Sequence, residues 1–236
     1  MLWITLLLFL VSSIIMAFLN DTAEPLSQTE NRKKPLKVIK EGWKLIWDNP
    51  IIKRLHVLII FEAIASVVWI AAILYVYVSE VLQKSESWWG YINTTFFFGL
   101  LVGGFIVSKL VHLVETHMRS LLIGSSFCVG LLTLFFGLNS IAILALVLSV
   151  LVGVVEQVKS ITMNTYIQKE ADAIDLPKIY GLQGALFSFL FGFSSLLFGC
   201  ITEFTNVQLS FILAGTLLTA SAIYLLFNRK AFPKTY

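Results

Sequence analysis

The chain has 236 residues, of which 58% are hydrophobic and only 13% charged; the net charge is +3 and the mean hydropathy +0.86. A typical soluble domain carries roughly 25% charged residues, and surface-to-volume scaling leaves no way to hide this much apolar side chain from water. These values exclude a soluble enzyme, a secreted globular domain and a disordered chain, and they predict an all-α polytopic membrane protein.

Seven apolar runs are long enough to read as spans. They cover 2–19, 55–78, 88–108, 120–138, a run from 140 that fades after Lys159, 180–201 and 207–227. The first has no Lys or Arg before it and no small-x-small cleavage site after it, so it reads as a true span rather than a signal peptide. Sixteen of the seventeen Lys and Arg residues fall in segments on one side of these spans, and only Lys84 falls on the other. This asymmetry predicts a multi-pass protein of the cell membrane with its N-terminus outside and its C-terminus in the cytoplasm. Cys128 and Cys200 lie in apolar runs and His56, His112 and His117 form no ligand spacing, so neither a disulfide nor a metal site is expected.

Between the first and second runs, residues 20–34 are polar and read as a linker. Residues 36–49 then form an amphipathic helix that Pro50 ends. Leu36, Ile39, Trp43, Ile46 and Trp47 take one face, and Lys37, Lys40, Glu41, Lys44 and Asp48 the other. Two placements fit it: in the cytoplasmic headgroup layer, or packed on the end of the bundle. The basic segment beside a span favours lipid over nucleic acid as its partner. The division is a span at 1–20, a cytoplasmic linker at 21–54, a six-helix lobe at 55–228 and a cytoplasmic tail at 229–236. One span, a long linker and six spans is the arrangement that divides the halves of a two-lobed transporter.

The stretch Glu41-Gly42-Trp43-Lys44-Leu45-Ile46-Trp47-Asp48-Asn49-Pro50-Ile51-Ile52-Lys53-Arg54 resembles the linker that enters the seventh helix of major facilitator superfamily transporters, closest to the bacterial macrolide-efflux-type branch. Asn164-Thr165-Tyr166-Ile167-Gln168, followed by a polar loop, Pro177, Gly181 and an apolar helix, is similar to the tenth-to-eleventh-helix connection of that branch. The resemblance implies helices six to twelve, the C-terminal half of the family's fold. It also implies secondary transport without a cofactor, with the lipid bilayer, a small-molecule substrate and protons as partners. A separately encoded first half or a second copy of the chain would supply the other lobe. The sequence departs from the family between its eighth and ninth helices: Gly104 is followed by Ser108 and Lys109 where Asp-Arg is common, and Val111 stands where Gly is common. That puts a gating role for Lys109 in doubt.

Ionisable groups inside a span cost about 2.5–3.5 kcal/mol on insertion scales and each needs a reason. Glu62 lies about 10 Å into the second run, counted as seven residues at 1.5 Å rise. A carboxyl group there is a candidate proton carrier for an antiporter, or a structural hydrogen-bond donor to a neighbouring helix. Glu156 and Lys159 are three residues apart on one helical face and can pair. Two readings fit the pair: it lines the substrate path, or Lys159 snorkels to the cytoplasmic edge and Glu156 follows it. Gly99 and Gly103, with Gly104 beside them, permit close helix packing. Phe96 to Phe98 and the phenylalanines at 187, 189, 191 and 193 are candidates for an aromatic cavity, or face lipid and core.

No Walker loop, HExxH, GxSxG or CxxC is present, so an enzyme is not expected. The sequence supports a secondary transporter, or half of one, for proton-coupled efflux of small amphipathic compounds. A remnant without transport activity is the alternative, because one lobe alone cannot alternate. A seven-span receptor fits only by helix count: the last run has no Lys to carry retinal, and no Asp-Arg-Tyr follows the third.

Overall fold

The computed structural model describes residues 2–17 and 35–233. The chain divides into two units, Met1–Val38 and Ile39–Tyr236. The first holds α1 (Leu2–Ala17), a helix whose sequence is apolar apart from Thr5, Ser12 and Ser13. Its 16 residues extend about 24 Å. The remainder of the expected first span, 18–19, and the polar linker up to 34 lie outside the described residues.

The second unit is a helical bundle. It contains α3 (Pro50–Ala65), a 3₁₀ turn (Ser66–Trp69), α4 (Ala71–Val76) and a π turn (Tyr77–Val81). These are followed by α5 (Ser87–Lys109), the short α6 (Val111–Thr116) and α7 (Met118–Leu138). The chain continues through α8 (Ala142–Glu170), α9 (Leu176–Phe204) and α10 (Val207–Phe227) to a last 3₁₀ turn, Arg229–Ala231. Helix α2 (Pro35–Asp48) precedes them, and its residues from Ile39 onward belong to this unit. Among the described residues, α5 and α7 to α10 are long and apolar enough to cross a membrane, and the bent segment from Pro50 to Val81 makes a sixth span if counted as one.

Three expectations change. The second run is not one straight helix: Pro50–Trp69 and Ala72–Val81 are bent by 41°. No Pro or Gly lies in 55–78. Ser66 instead turns its hydroxyl back onto the Ala63 carbonyl at 3.2 Å, the helix tightens to 3₁₀ over Ser66–Trp69, and Ile70 is extended at φ −75°, ψ 160°. The Ser66 amide still bonds to the Glu62 carbonyl, and the break falls on the β-branched Val67, Val68 and Ile70 that follow, which are the poorer helix formers of this run. The fifth run does not fade after Lys159; α8 runs on to Glu170. Thr162, Asn164 and Thr165 return their side chains to the carbonyls one turn back, at 2.7–2.9 Å, and the stretch is held helical by the buried strip of Thr162, Met163, Tyr166 and Ile167. Finally, the apolar face of α2 is split. Gly42 and Ile46 are buried against the bundle, while Ile39, Trp43 and Trp47 are exposed.

The two motif stretches hold one end of the lobe together. Asn49 caps α3, its side-chain oxygen accepting from the Ile51 and Ile52 amides at 2.8 and 3.1 Å, and Pro50 fills the first helical position. The Asn49 amide also reaches the Glu170 carbonyl and carboxylate, each at 3.3 Å, tying α3 to the end of α8. Arg54 donates to the Asn228 side chain at 3.0 Å, tying α3 to the end of α10. Tyr166 donates to the Pro233 carbonyl at 3.2 Å and packs on the buried Phe232, so the segment after α10 folds back onto α8.

Small residues set the two closest helix contacts. Along α5 and α8, a Cβ on Gly99 would run into the Val150 carbonyl, and one on Gly153 into the Phe96 carbonyl. Thr95 and Ser149 share a 2.5 Å hydroxyl contact on the same seam. Gly130 and Gly215 play the corresponding part between α7 and α10.

Two apolar clusters result. One gathers Ile52, Leu55, Met118, Leu122, Tyr166, Leu225 and Phe232 at the motif end. The other gathers Val68, Tyr77, Val129, Phe136, Phe211 and Leu218 toward the opposite end. Tyr77 anchors the second, its hydroxyl lying 2.6 Å from the Phe136 and Asn139 carbonyls.

Candidate functional site

Between the two clusters lies a charged layer. On α3 and the turn after it, Glu62, Ser66 and Trp69 recur at steps of four and three, which places them on one helical face. Val152, Glu156 and Lys159 repeat that spacing on α8. The two faces meet. The Lys159 ammonium, 2% exposed, lies 2.7 Å from Glu156 Oε2 and 2.9 Å from Glu62 Oε1. It donates a well-directed hydrogen bond to Glu156. Its approach to Glu62 is an ion-pair contact off the hydrogen-bond direction, which leaves Glu62 Oε1 without a well-directed donor. The Glu62 and Glu156 side chains are 14% and 32% exposed.

The sequence treats Glu62 and the Glu156/Lys159 pair as separate features; the structure joins all three. It removes the snorkelling reading of Lys159, because α8 continues eleven residues past it and buries it. Lys159 therefore also leaves the count of basic residues in connecting segments. Glu62 stands twelve residues into α3, about 18 Å along the axis from Pro50, since the helix begins five residues before the apolar run.

The triad opens into a cavity of about 200 Å³ whose lining also includes Ser66, Trp69, Phe96, Val129, Val152 and Leu218. Trp69 and Phe96 stack on one another, with ring centroids 6.0 Å apart and planes 21° apart. Of the phenylalanines considered for an aromatic cavity, Phe96 alone lines this one. Phe97, Phe98, Phe187, Phe189 and Phe193 are exposed on the outside of the lobe. Trp69 was missed in the sequence because it reads as one more apolar residue of a span; its register with Glu62 was the available signal. Two carboxylates and one ammonium leave the layer one positive charge short of neutrality when all three are ionised. It can take up a proton or a cationic group at that point.

The family profile described as Major Facilitator Superfamily matches residues 1–175. The chain belongs to the major facilitator superfamily. Among curated superfamily members, it is 31% identical to the uncharacterized MFS-type transporter YfmI of Bacillus subtilis (strain 168) over 221 residues, 94% of this chain and 54% of that protein. It is 27% identical to the uncharacterized MFS-type transporter YjbB of the same strain over 179 residues, 76% of this chain and 44% of that protein. It is 28% identical to the enterobactin exporter EntS of Shigella dysenteriae serotype 1 (strain Sd197) over 153 residues, 64% of this chain and 35% of that protein. The chain spans about half the length of the curated relatives it matches. No solved structure matches it. Family and helices together make this a multi-pass membrane protein of a transporter family, not an enzyme.

Proposed function

We propose that this chain is the C-terminal lobe of a proton-coupled exporter of small amphipathic compounds, of the bacterial drug-efflux type. The observation that carries the reading is the buried Lys159 held between Glu62 and Glu156 beside a cavity walled by Trp69 and Phe96. An ionisable group inside a membrane helix is costly, and its default reading is a functional site. The carboxylate excess over Lys159 gives a proton a place to bind, and the aromatic wall gives an apolar body a surface to rest on. The likeness to an enterobactin exporter supports the direction of transport.

A second lobe completes the path, since midplane sites in such transporters lie between two lobes that rock against one another. Support comes from the relatives' doubled length and from the least-buried span, α9. The charge asymmetry of the connecting segments supports a cell-membrane protein with the motif end and the C-terminus in the cytoplasm.

The test uses everted membrane vesicles holding the chain assembled with a second lobe and energised to an acid interior. Added amphipathic dyes should collapse the pH gradient in vesicles with the two-lobed assembly and not in those without it. Glu62→Gln and Glu156→Gln should each abolish the collapse. Unchanged collapse in both variants would overturn the coupling role of the triad.

A further inference from the structure

Helix α2 has four chemically distinct sides, because successive residues turn by 100°. The first is seated on the start of α9: a Cβ on Gly42 would lie 3.1 Å from the Lys178 carbonyl oxygen and 3.7 Å from Leu182 Cβ. Ile46 on that side is 3% exposed. The second side carries Ile39, Trp43 and Trp47 at four-residue steps, exposed by 53%, 43% and 38%. The third carries the exposed Lys40 and Lys44. The fourth carries the acids, with Glu41 3.9 Å from Lys178.

Glu41 is thus turned to the bundle, Asp48 stands exposed between it and Lys44, and the bases stand directly beside the tryptophans. Lys53, one turn into α3, adds a third ammonium 4.6 Å above the Trp47 ring, while Trp43 and Trp47 meet edge to face at 5.4 Å. The first turns of α9, on which α2 sits, are the end of a membrane-length helix, so α2 lies where hydrocarbon gives way to headgroups. Indole rings bordered by lysines are the composition of that boundary: the rings settle at the acyl edge and the ammonium groups reach phosphate.

We propose that Ile39, Trp43 and Trp47, with Lys40, Lys44 and Lys53 beside them, form a docking surface for acidic phospholipid headgroups of the leaflet at this end of the lobe. The expectation that α2 is either a membrane-surface helix or a bundle-packed one resolves into both, on different sides of the same helix. A protein partner fits less well, because three like charges along one edge of the patch would each need a matching acid. A leaflet containing acidic lipid supplies that match without a specific contact.

The full chain is reconstituted in phosphatidylcholine vesicles containing phosphatidylglycerol. Two variants keep only Trp43 or only Trp47, the other five tryptophans being replaced by Phe, and trace lipid carries a spin label near the headgroup. Labelled phosphatidylglycerol should quench both tryptophans severalfold more strongly than labelled phosphatidylcholine. Lys40→Gln, Lys44→Gln and Lys53→Gln together should make the two lipids equal. Equal quenching before those substitutions would overturn the acidic-lipid assignment. Quenching by acrylamide alone would place the face in water, and quenching by neither would mean that protein covers it, a second copy or another lobe; both results overturn the proposal. A variant keeping only Trp69 reports folding, since that ring is packed inside the lobe. Should the tryptophan replacements unfold the chain, retention of spin-labelled phosphatidylglycerol by the otherwise unaltered chain is compared with that of its triple-lysine variant, and equal retention overturns the proposal.

Discussion

Lys159 is the residue on which the charged layer depends. Removing one member of a buried ion pair and leaving the other costs about 3–5 kcal/mol, whereas replacing the whole group by neutral side chains is often harmless. Lys159→Met leaves two carboxylates facing each other and should lower the unfolding temperature in detergent sharply. Glu62→Gln keeps the 2.7 Å pair with Glu156 and should cost much less. The triple variant Glu62→Gln, Glu156→Gln, Lys159→Met should recover most of the lost stability and still fail to transport. Recovery of transport with stability would show that the triad is structural. Each member was legible in the sequence as an ionisable group inside an apolar run. Their meeting was not, because pairing of Glu62 with Lys159 is a property of how α3 crosses α8. The shared spacing of four and three through Glu62, Ser66, Trp69 and through Val152, Glu156, Lys159 was the trace it left.

At the scale of elements, helix ends were readable where chemistry changes abruptly and obscure where it changes gradually. Helix α10 occupies Val207–Phe227, the limits its sequence indicates, because Asn206 caps it and Asn228 follows it. Helix α8 overran its apparent end because hydropathy registers lipid exposure, while Thr162, Met163, Tyr166 and Ile167 continue as a buried strip under a polar face. The bend after Ala65 had no Pro or Gly to announce it. Gly99 and Gly103 were readable as packing glycines; Gly153, which meets Gly99, was not, since it stands alone in its own helix. That seam makes a prediction. Gly153→Leu forces α5 and α8 apart along backbone that has no room to move, and overpacking of this kind costs about 1–3 kcal/mol or more. Gly184→Leu, where an added Cβ meets nothing within 4 Å, should leave the unfolding temperature nearly unchanged. Equal losses in the two variants would remove close approach as the reason for the seam glycines. The hydroxyl of Tyr77 offers a milder test at the other end. Tyr77→Phe keeps the ring stack with Phe136 at 4.9 Å but removes the donor between the Phe136 and Asn139 carbonyls. It should cost about 1–2 kcal/mol in thermal unfolding, the usual penalty for leaving a buried acceptor unpaired.

For the whole molecule, the open question of chemistry is what α9 faces. Gly181, Ala185, Ser188, Gly192 and Gly199 follow one another at steps of four, three, four and seven along it, all exposed, and the three glycines among them have open space where a Cβ would stand. A helix that faces only hydrocarbon gains nothing from such a stripe, because small residues are useful where another backbone approaches. In a two-lobed transporter that backbone belongs to the second lobe. Gly192→Trp separates the possibilities, since the added ring meets nothing within this lobe. The lobe's own unfolding temperature should therefore move by less than that of Gly153→Leu. Transport by the assembled protein should nevertheless be lost, because the ring would hold the lobes apart at the face on which they rock. Full transport by Gly192→Trp would mean that lipid, not protein, covers α9. The second lobe would then have to dock elsewhere on the bundle, and the small residues of α9 would have no role in alternation.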